Sequence, residues 1–149
     1  MANEPALSKD DLRALRCVAG MMIPASAKYR IPGADDDLVF ADIVQSTGRD
    51  TAAIARALSD LAARAGGCFA DLDPARRDAV AEEWRAAADP DFILLQHLVL
   101  QCYYRDDRVM RSLNMEPRPP FPLGHEVEPG DWSLLDKVRK RAPMWREVP

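Results

Sequence analysis

The chain is short of the groups that build self-contained chemistry. It has two histidines, His97 and His125, and three cysteines, Cys17, Cys68 and Cys102. An odd, scattered set of three is a poor disulfide framework. Each cysteine reads as a small apolar side chain of the interior, in a reducing compartment. His97 and Cys102 are five residues apart on one helical pattern, which turns them about 140° from each other. No close cysteine pair, HExxH or C-x-x-C-H occurs, so metal and covalent haem lack their ligand spacing. There is no G-x-S-x-G elbow for a nucleophile, and neither G-x-x-x-x-G-K-[ST] nor G-x-G-x-x-G for a phosphate. Carboxylates are abundant, but most stand at helix starts, where capping and the helix dipole place them without catalytic demand. The expectation is no catalytic, cofactor-binding or metal-binding residue in this chain; whether the chain turns anything over by itself stays open, with specific turnover by the isolated chain as the observation that would establish it.

Long apolar runs are missing too. The longest, residues 92–100, is interrupted by Gln96 and His97 and is about half of what a membrane span needs. The start, Met-Ala-Asn-Glu-Pro, has no basic region leading into an apolar one. As written the chain reads as cytoplasmic, without direct membrane insertion. The alternative is a periplasmic location reached by co-export or through a trimmed signal. The net charge of −4 argues against nucleic acid as a partner. The basic run Lys137, Arg139, Lys140 and Arg141 ends a helical pattern, where cations are favoured locally.

What the chain does contain is helical pattern and proline. Its 149 residues fit one domain. Ser8 with Asp11 forms an acidic capping box, Leu7 and Leu12 stand at staple spacing, and Leu12, Leu15, Ala19 and Met22 mark a buried face that Pro24 ends. A loop over 24–35 carries Tyr29 and a turn expected at Pro32-Gly33. Asp35, Asp36 and Asp37 open a second helix with Val39, Phe40 and Ile43, ending near Gly48. Asp50 is expected to cap a third, with Ile54, Leu58, Leu61 and Ala65 on its stripe and Gly66-Gly67 at its end.

Asp73-Pro74 and Asp89-Pro90 are two further helix starts. The fourth helix turns Val80, Trp84 and Ala87 to one side and Arg76, Arg77, Glu82, Glu83 and Arg85 to the other. The fifth, over 91–104, is apolar on most sides, which makes it central in a bundle or shared with another chain. Val109, Met110 and Leu113 predict one short helix more. Over 114–130 no period survives: Pro117, Pro119, Pro120, Pro122 and Pro129 exclude helix and sheet interior. Yet Met115, Phe121, Leu123 and Val127 are spread through it, which free linkers rarely keep. A last helix is expected over 131–141, with Trp132, Leu135 and Val138 at three-residue steps.

The expected fold is therefore all-α. It is an irregular bundle of about five to seven helices over 1–113, with a proline-rich arm and short terminal helix over 114–149 in the same domain. Tyr103-Tyr104-Arg105 follows the over-apolar helix and precedes the arm. Tyrosine and arginine dominate interface energetics, so the C-terminal third reads as a docking surface. The expected contact residues are Tyr103, Tyr104, Arg105, Phe121, Leu123 and Trp132. A competing reading of the tyrosines puts one on the core and the other on the surface.

At these residues the sequence resembles the gluconate 2-dehydrogenase subunit 3 family. The matching pieces run in order: a first helix into Met22-Ile23-Pro24, then Ile31-Pro32-Gly33-Ala34; the stretch 69–74; Pro90-Asp91-Phe92; Tyr103-Tyr104 with Asp107 and Val109; Pro119-Pro120-Phe121-Pro122-Leu123-Gly124; and 132–141 followed by Trp145-Arg146. The pieces span most of the chain, and their order carries the likeness. The resemblance implies a non-catalytic helical small subunit that stabilises a large flavoprotein of the glucose–methanol–choline class. That partner would carry the FAD and oxidise a sugar or other alcohol, with a cytochrome or another acceptor taking the electrons. A stand-alone helical interaction module, or a homodimer through the fifth helix, is the alternative; an enzyme in its own right is a third reading.

Overall fold

A computed structural model describes residues 6–126, 128–142 and 145. Val127, Arg146 and the first five residues, all used in the sequence reading, lie outside the described residues. Among those described the protein is all-α, with seven α-helices and three short 3-10 turns. The chain divides into two compact units, Met1–Pro117 and Arg118–Pro149.

The first unit is an irregular helical bundle. Helix α1 spans Lys9–Met22 and opens on the expected capping box, with Ser8 and Asp11 bonding reciprocally. It buries Ala14, Leu15, Val18 and Ala19. The following loop folds back so that the Ala34 amide donates to the Ile23 carbonyl at 2.9 Å. Its turn begins at Gly33, one residue later than expected, and is closed by the Asp36 amide on the Gly33 carbonyl. A Cβ on Gly33 would stand 2.9 Å from the Ala25 nitrogen, so only glycine fits this crossing of backbones.

Helix α2 (Asp37–Gln45) is capped by Asp36. Helix α3 (Thr51–Ala65) does not use Asp50 as expected. A 3-10 turn, Gly48–Asp50, precedes it, and Asp50, at φ −92° and ψ 1°, is already too helical to turn its carboxylate onto the first amides. The Thr51 hydroxyl donates back to the Gly48 carbonyl instead. Gly66 ends α3 at φ 73°, the left-handed position that favours glycine.

Helices α4 (Pro74–Ala87) and α5 (Pro90–Tyr104) both begin with a capping aspartate and a first-turn proline. On α4 only Val80 and Trp84 are buried. Ala87, expected beside them, is exposed in the last turn, where the chain leaves through Ala88. Helix α6 is Asp107–Ser112.

Helix α3 is the hub, packing on α1, α4 and α5; α5 also packs on α2 and α6. Trp84 and Phe92 meet edge to face, their rings 4.5 Å apart. Long-range ion pairs tie the elements at the surface, Arg13–Asp71 and Arg56–Asp91 among them.

In the second unit the expected single helix over 131–141 is a 3-10 turn, Trp132–Leu135, and one α-helical turn, α7 (Asp136–Arg139). A segment this short gains too few hydrogen bonds to offset nucleation, and the Asp131 carboxylate, accepting from the Ser133 amide, favours the tighter turn. No described helix is long and apolar enough to cross a membrane.

Candidate functional site

The six expected contact residues fall in two places, and they differ in what they do for the fold. Tyr103, Tyr104 and Arg105 come together at the end of α5 in the helical unit. Phe121, Leu123 and Trp132 belong to the C-terminal unit.

At the end of α5 the two tyrosines part company. Tyr103 is 2 % exposed and belongs to the core. Its hydroxyl donates to the Pro32 carbonyl at 3.1 Å, which satisfies the one polar atom such burial would strand. Burial pushes its phenol above the ordinary value, with Tyr104 and Asp106 adding to the shift. Tyr104 is 54 % exposed, its ring edge to face with that of Tyr103 at 5.3 Å. Successive helical residues point about 100° apart, so a helix at the rim of a core must turn one of the pair inward. Tyr104 is the one that presents an aromatic surface.

Arg105 is held from within the fold. Its guanidinium forks onto the Asp42 carboxylate, Nε to Oδ2 at 2.6 Å and Nη2 to Oδ1 at 2.5 Å, and also reaches the Ser46 hydroxyl. The hydrogen-bonded carboxylate raises the arginine's already high pKa. About half of the Arg105 side chain remains exposed, available to a partner as an oriented cation.

Tyr104 extends an apolar line along α5. Ile93, His97, Leu100 and Tyr104, all exposed, recur at four, three and four residues, within about 60° of one another around the axis. The fifth helix is thus central on one side, where Phe92, Leu95, Val99 and Cys102 are buried, and open on the other. Tyr29 and Leu38, 62 % and 68 % exposed, are further apolar surface that the sequence pattern did not single out. Leu38 follows the capping Asp36 and reads as an ordinary first-turn residue, so nothing in the pattern marks it.

The helical unit also has an apolar cleft of about 350 Å³ between α1, α4 and α5, lined by Val18, Met21, Met22, Ala81, Trp84 and Phe92. Asp78, Glu82, Arg85 and Gln96 complete its lining, with Glu82 and Arg85 paired to each other.

The second unit is different in kind. Every described residue from Pro119 onward is exposed. These include Phe121 at 88 %, Leu123 at 80 %, Trp132 at 67 % and Leu134 at 74 %. A segment that carries so many large apolar side chains and covers none of them has no core of its own. Exposed apolar groups gathered in this way mark interaction surfaces.

The residues before and after Phe121 and Leu123 close a loop. The Arg118 guanidinium donates to the Gly124 carbonyl at 2.5 Å, the Gly124 amide to the Pro120 carbonyl, and His125 Nε2 lies 3.0 Å from the Arg118 carbonyl. Gly124 takes φ 71° to make the turn. Arg118 and His125 carry no sequence signal for this role; their pairing appears only once the loop is folded. Among the described residues all three cysteines are free, and no cluster of three or more histidine, cysteine, aspartate or glutamate side chains is gathered as for a metal. No family model, curated protein or solved structure matches the chain.

Proposed function

We propose that this chain is the small, non-catalytic subunit of a heteromeric FAD-dependent dehydrogenase acting on the CH–OH group of a sugar or other alcohol. Its role is to bind and stabilise a large flavoprotein subunit of the glucose–methanol–choline class. The FAD, the catalytic residues and the contact with a cytochrome or other acceptor belong to that partner. The likeness to the gluconate 2-dehydrogenase subunit 3 family, carried by ordered pieces from Met22-Ile23-Pro24 to Trp145, supplies the identity of the partner. The compartment that fits three free cysteines is a reducing one, the cytoplasm.

The observation that carries docking is the C-terminal unit with Phe121, Leu123, Trp132 and Leu134 all exposed and no buried residue among those described. Burying one such side chain contributes about 1.5–3 kcal/mol. Several together offset the cost of association and of ordering the arm. Tyr104 and the oriented Arg105 on α5 add an aromatic and a cation to the contact. The test is to express the chain together with a large flavoprotein of the glucose–methanol–choline class from the same source. Stable co-purification at fixed stoichiometry supports the reading; separate elution of the two at micromolar concentration, about 8 kcal/mol of affinity or less, removes it.

A second reading, a homodimer through α5, is favoured by the exposed line of Ile93, Leu100 and Tyr104. Sedimentation of the purified chain separates the two. A dimer that persists on dilution and is lost in Leu100→Glu supports the homodimer.

A further inference from the structure

We propose that the loop 118–125 is a preformed apolar plug that enters a pocket of a protein partner, apolar at its floor and cationic at its rim. This rests on the docking reading above and specifies how the arm engages.

Three features support it. The first is what the loop presents. Phe121 and Leu123 flank Pro122 and are 88 % and 80 % exposed, so an aromatic and a branched aliphatic side chain stand together on one short turn. The second is that the turn is already closed. Arg118 donates to the carbonyls of Pro119 and Gly124, Gly124 to that of Pro120, and His125 to that of Arg118. Pro119, Pro120 and Pro122 fix three backbone angles within the same span. Conformational freedom surrendered before binding does not have to be surrendered at binding, which is how a short loop comes to anchor an interface.

The third is charge. The Arg118 guanidinium is directed at the loop's own carbonyls, while the exposed carboxylates Glu126 and Glu128 follow the tip. The flank is therefore acidic, and it matches lysine or arginine at the mouth of a pocket. At the loop itself these carboxylates oppose entry into an anionic lipid surface, while the basic run Lys137, Arg139, Lys140 and Arg141 lies further along the same unit. His125 is a positioning residue: its imidazole hydrogen bond holds the base of the loop and its ring need not touch the partner.

The experiment measures the affinity of the full chain for the purified flavoprotein subunit. Phe121→Ser with Leu123→Ser weakens binding by roughly a hundredfold or more, because two side chains lose their apolar seat. His125→Ala weakens it by about tenfold with the tip intact, through lost preorganisation. Glu126→Lys with Glu128→Lys slows association about tenfold at low salt, and the difference fades at high salt. None of these moves the thermal midpoint of the isolated chain. If the Phe121/Leu123 variant binds like wild type while Trp132→Ala weakens binding, the plug is refuted and docking stands. If wild type does not bind the flavoprotein, both fall. Co-sedimentation of wild type with phosphatidylglycerol–phosphatidylcholine vesicles, abolished in the Phe121/Leu123 variant, overturns the plug in favour of a lipid surface. Self-association abolished by the same variant overturns it in favour of a second copy.

Discussion

Arg108 on α6 holds Asp36, 72 residues earlier in the chain, through Nη2 at 2.7 Å from Oδ1, and the same nitrogen reaches Asp106 Oδ2 at 2.9 Å. Each carboxylate is also a helix cap. Asp36 accepts from the Leu38 amide at the start of α2, and Asp106 from the Arg108 and Val109 amides at the start of α6. One guanidinium thus fastens two helix starts to each other. The Arg108 side chain is 39 % exposed, so solvent weakens the Coulombic part. Replacement by glutamine leaves both caps in place and is expected to destabilise the helical unit by about 1 kcal/mol, in the range of partly screened ion pairs. Urea denaturation followed by circular dichroism measures it.

The same contact gives a pH dependence of known sign. Hydrogen bonding to Arg108 holds both Asp36 and Asp106 below the ordinary carboxylate range. A carboxylate depressed in the folded state contributes stability that is fully present above its unfolded pKa of about 4 and is lost as pH falls through the folded value. The stability difference between wild type and Arg108→Gln is therefore constant above about pH 5 and shrinks towards zero as the pH drops below about 4. Paired denaturation curves across that range check it; a difference that grows on acidification contradicts it.

Tyr103 and Tyr104 separate cleanly by substitution. Tyr103→Phe keeps the buried ring and loses the bond to the Pro32 carbonyl, at a cost of about 1–3 kcal/mol with the carbonyl left unpaired. Tyr103→Ala also opens a cavity and costs about 3–5 kcal/mol. Tyr104→Ala, at 54 % exposure, changes stability by no more than about 1 kcal/mol. Thermal or chemical denaturation of the three variants orders them.

Arm substitutions divide stability from binding. Phe121, Leu123 and Trp132 are exposed and absent from the buried core. Their replacement by serine or alanine leaves the unfolding free energy of the isolated chain within about 0.5 kcal/mol. Loss of partner binding in the same variants then reports on the interface alone.

Local signals were the most legible in the sequence. The capping box at Ser8 and Asp11, the Asp-Pro starts of α4 and α5 and the Gly66 stop are written in neighbouring residues and hold in the structure. The all-α class follows from the same signals. Asp50 does not cap α3 because it is itself the last residue of a 3-10 turn, which residue type does not announce. The terminal helix was overlong because three-residue spacing of Trp132, Leu135 and Val138 fits both a 3-10 turn and an α-helix.

Of the candidate site, the sequence shows residue types but not their placement. Composition marked the tyrosine pair, but which ring turns inward depends on how α5 meets Pro32, 71 residues away. The grip of Arg108 on Asp36 and the closure of the proline-rich loop by Arg118 and His125 are likewise products of the fold. Neither leaves a pattern at short range.

As proposed, this chain is one subunit of a larger flavoprotein assembly. Sedimentation velocity followed at the flavin's visible absorbance tests it most directly, on the large subunit alone and with this chain added. The flavin-absorbing boundary is expected to move to a larger species when the chain is added, and not to move with the Phe121→Ser, Leu123→Ser, Trp132→Ala variant. A boundary unchanged by the wild-type chain contradicts it.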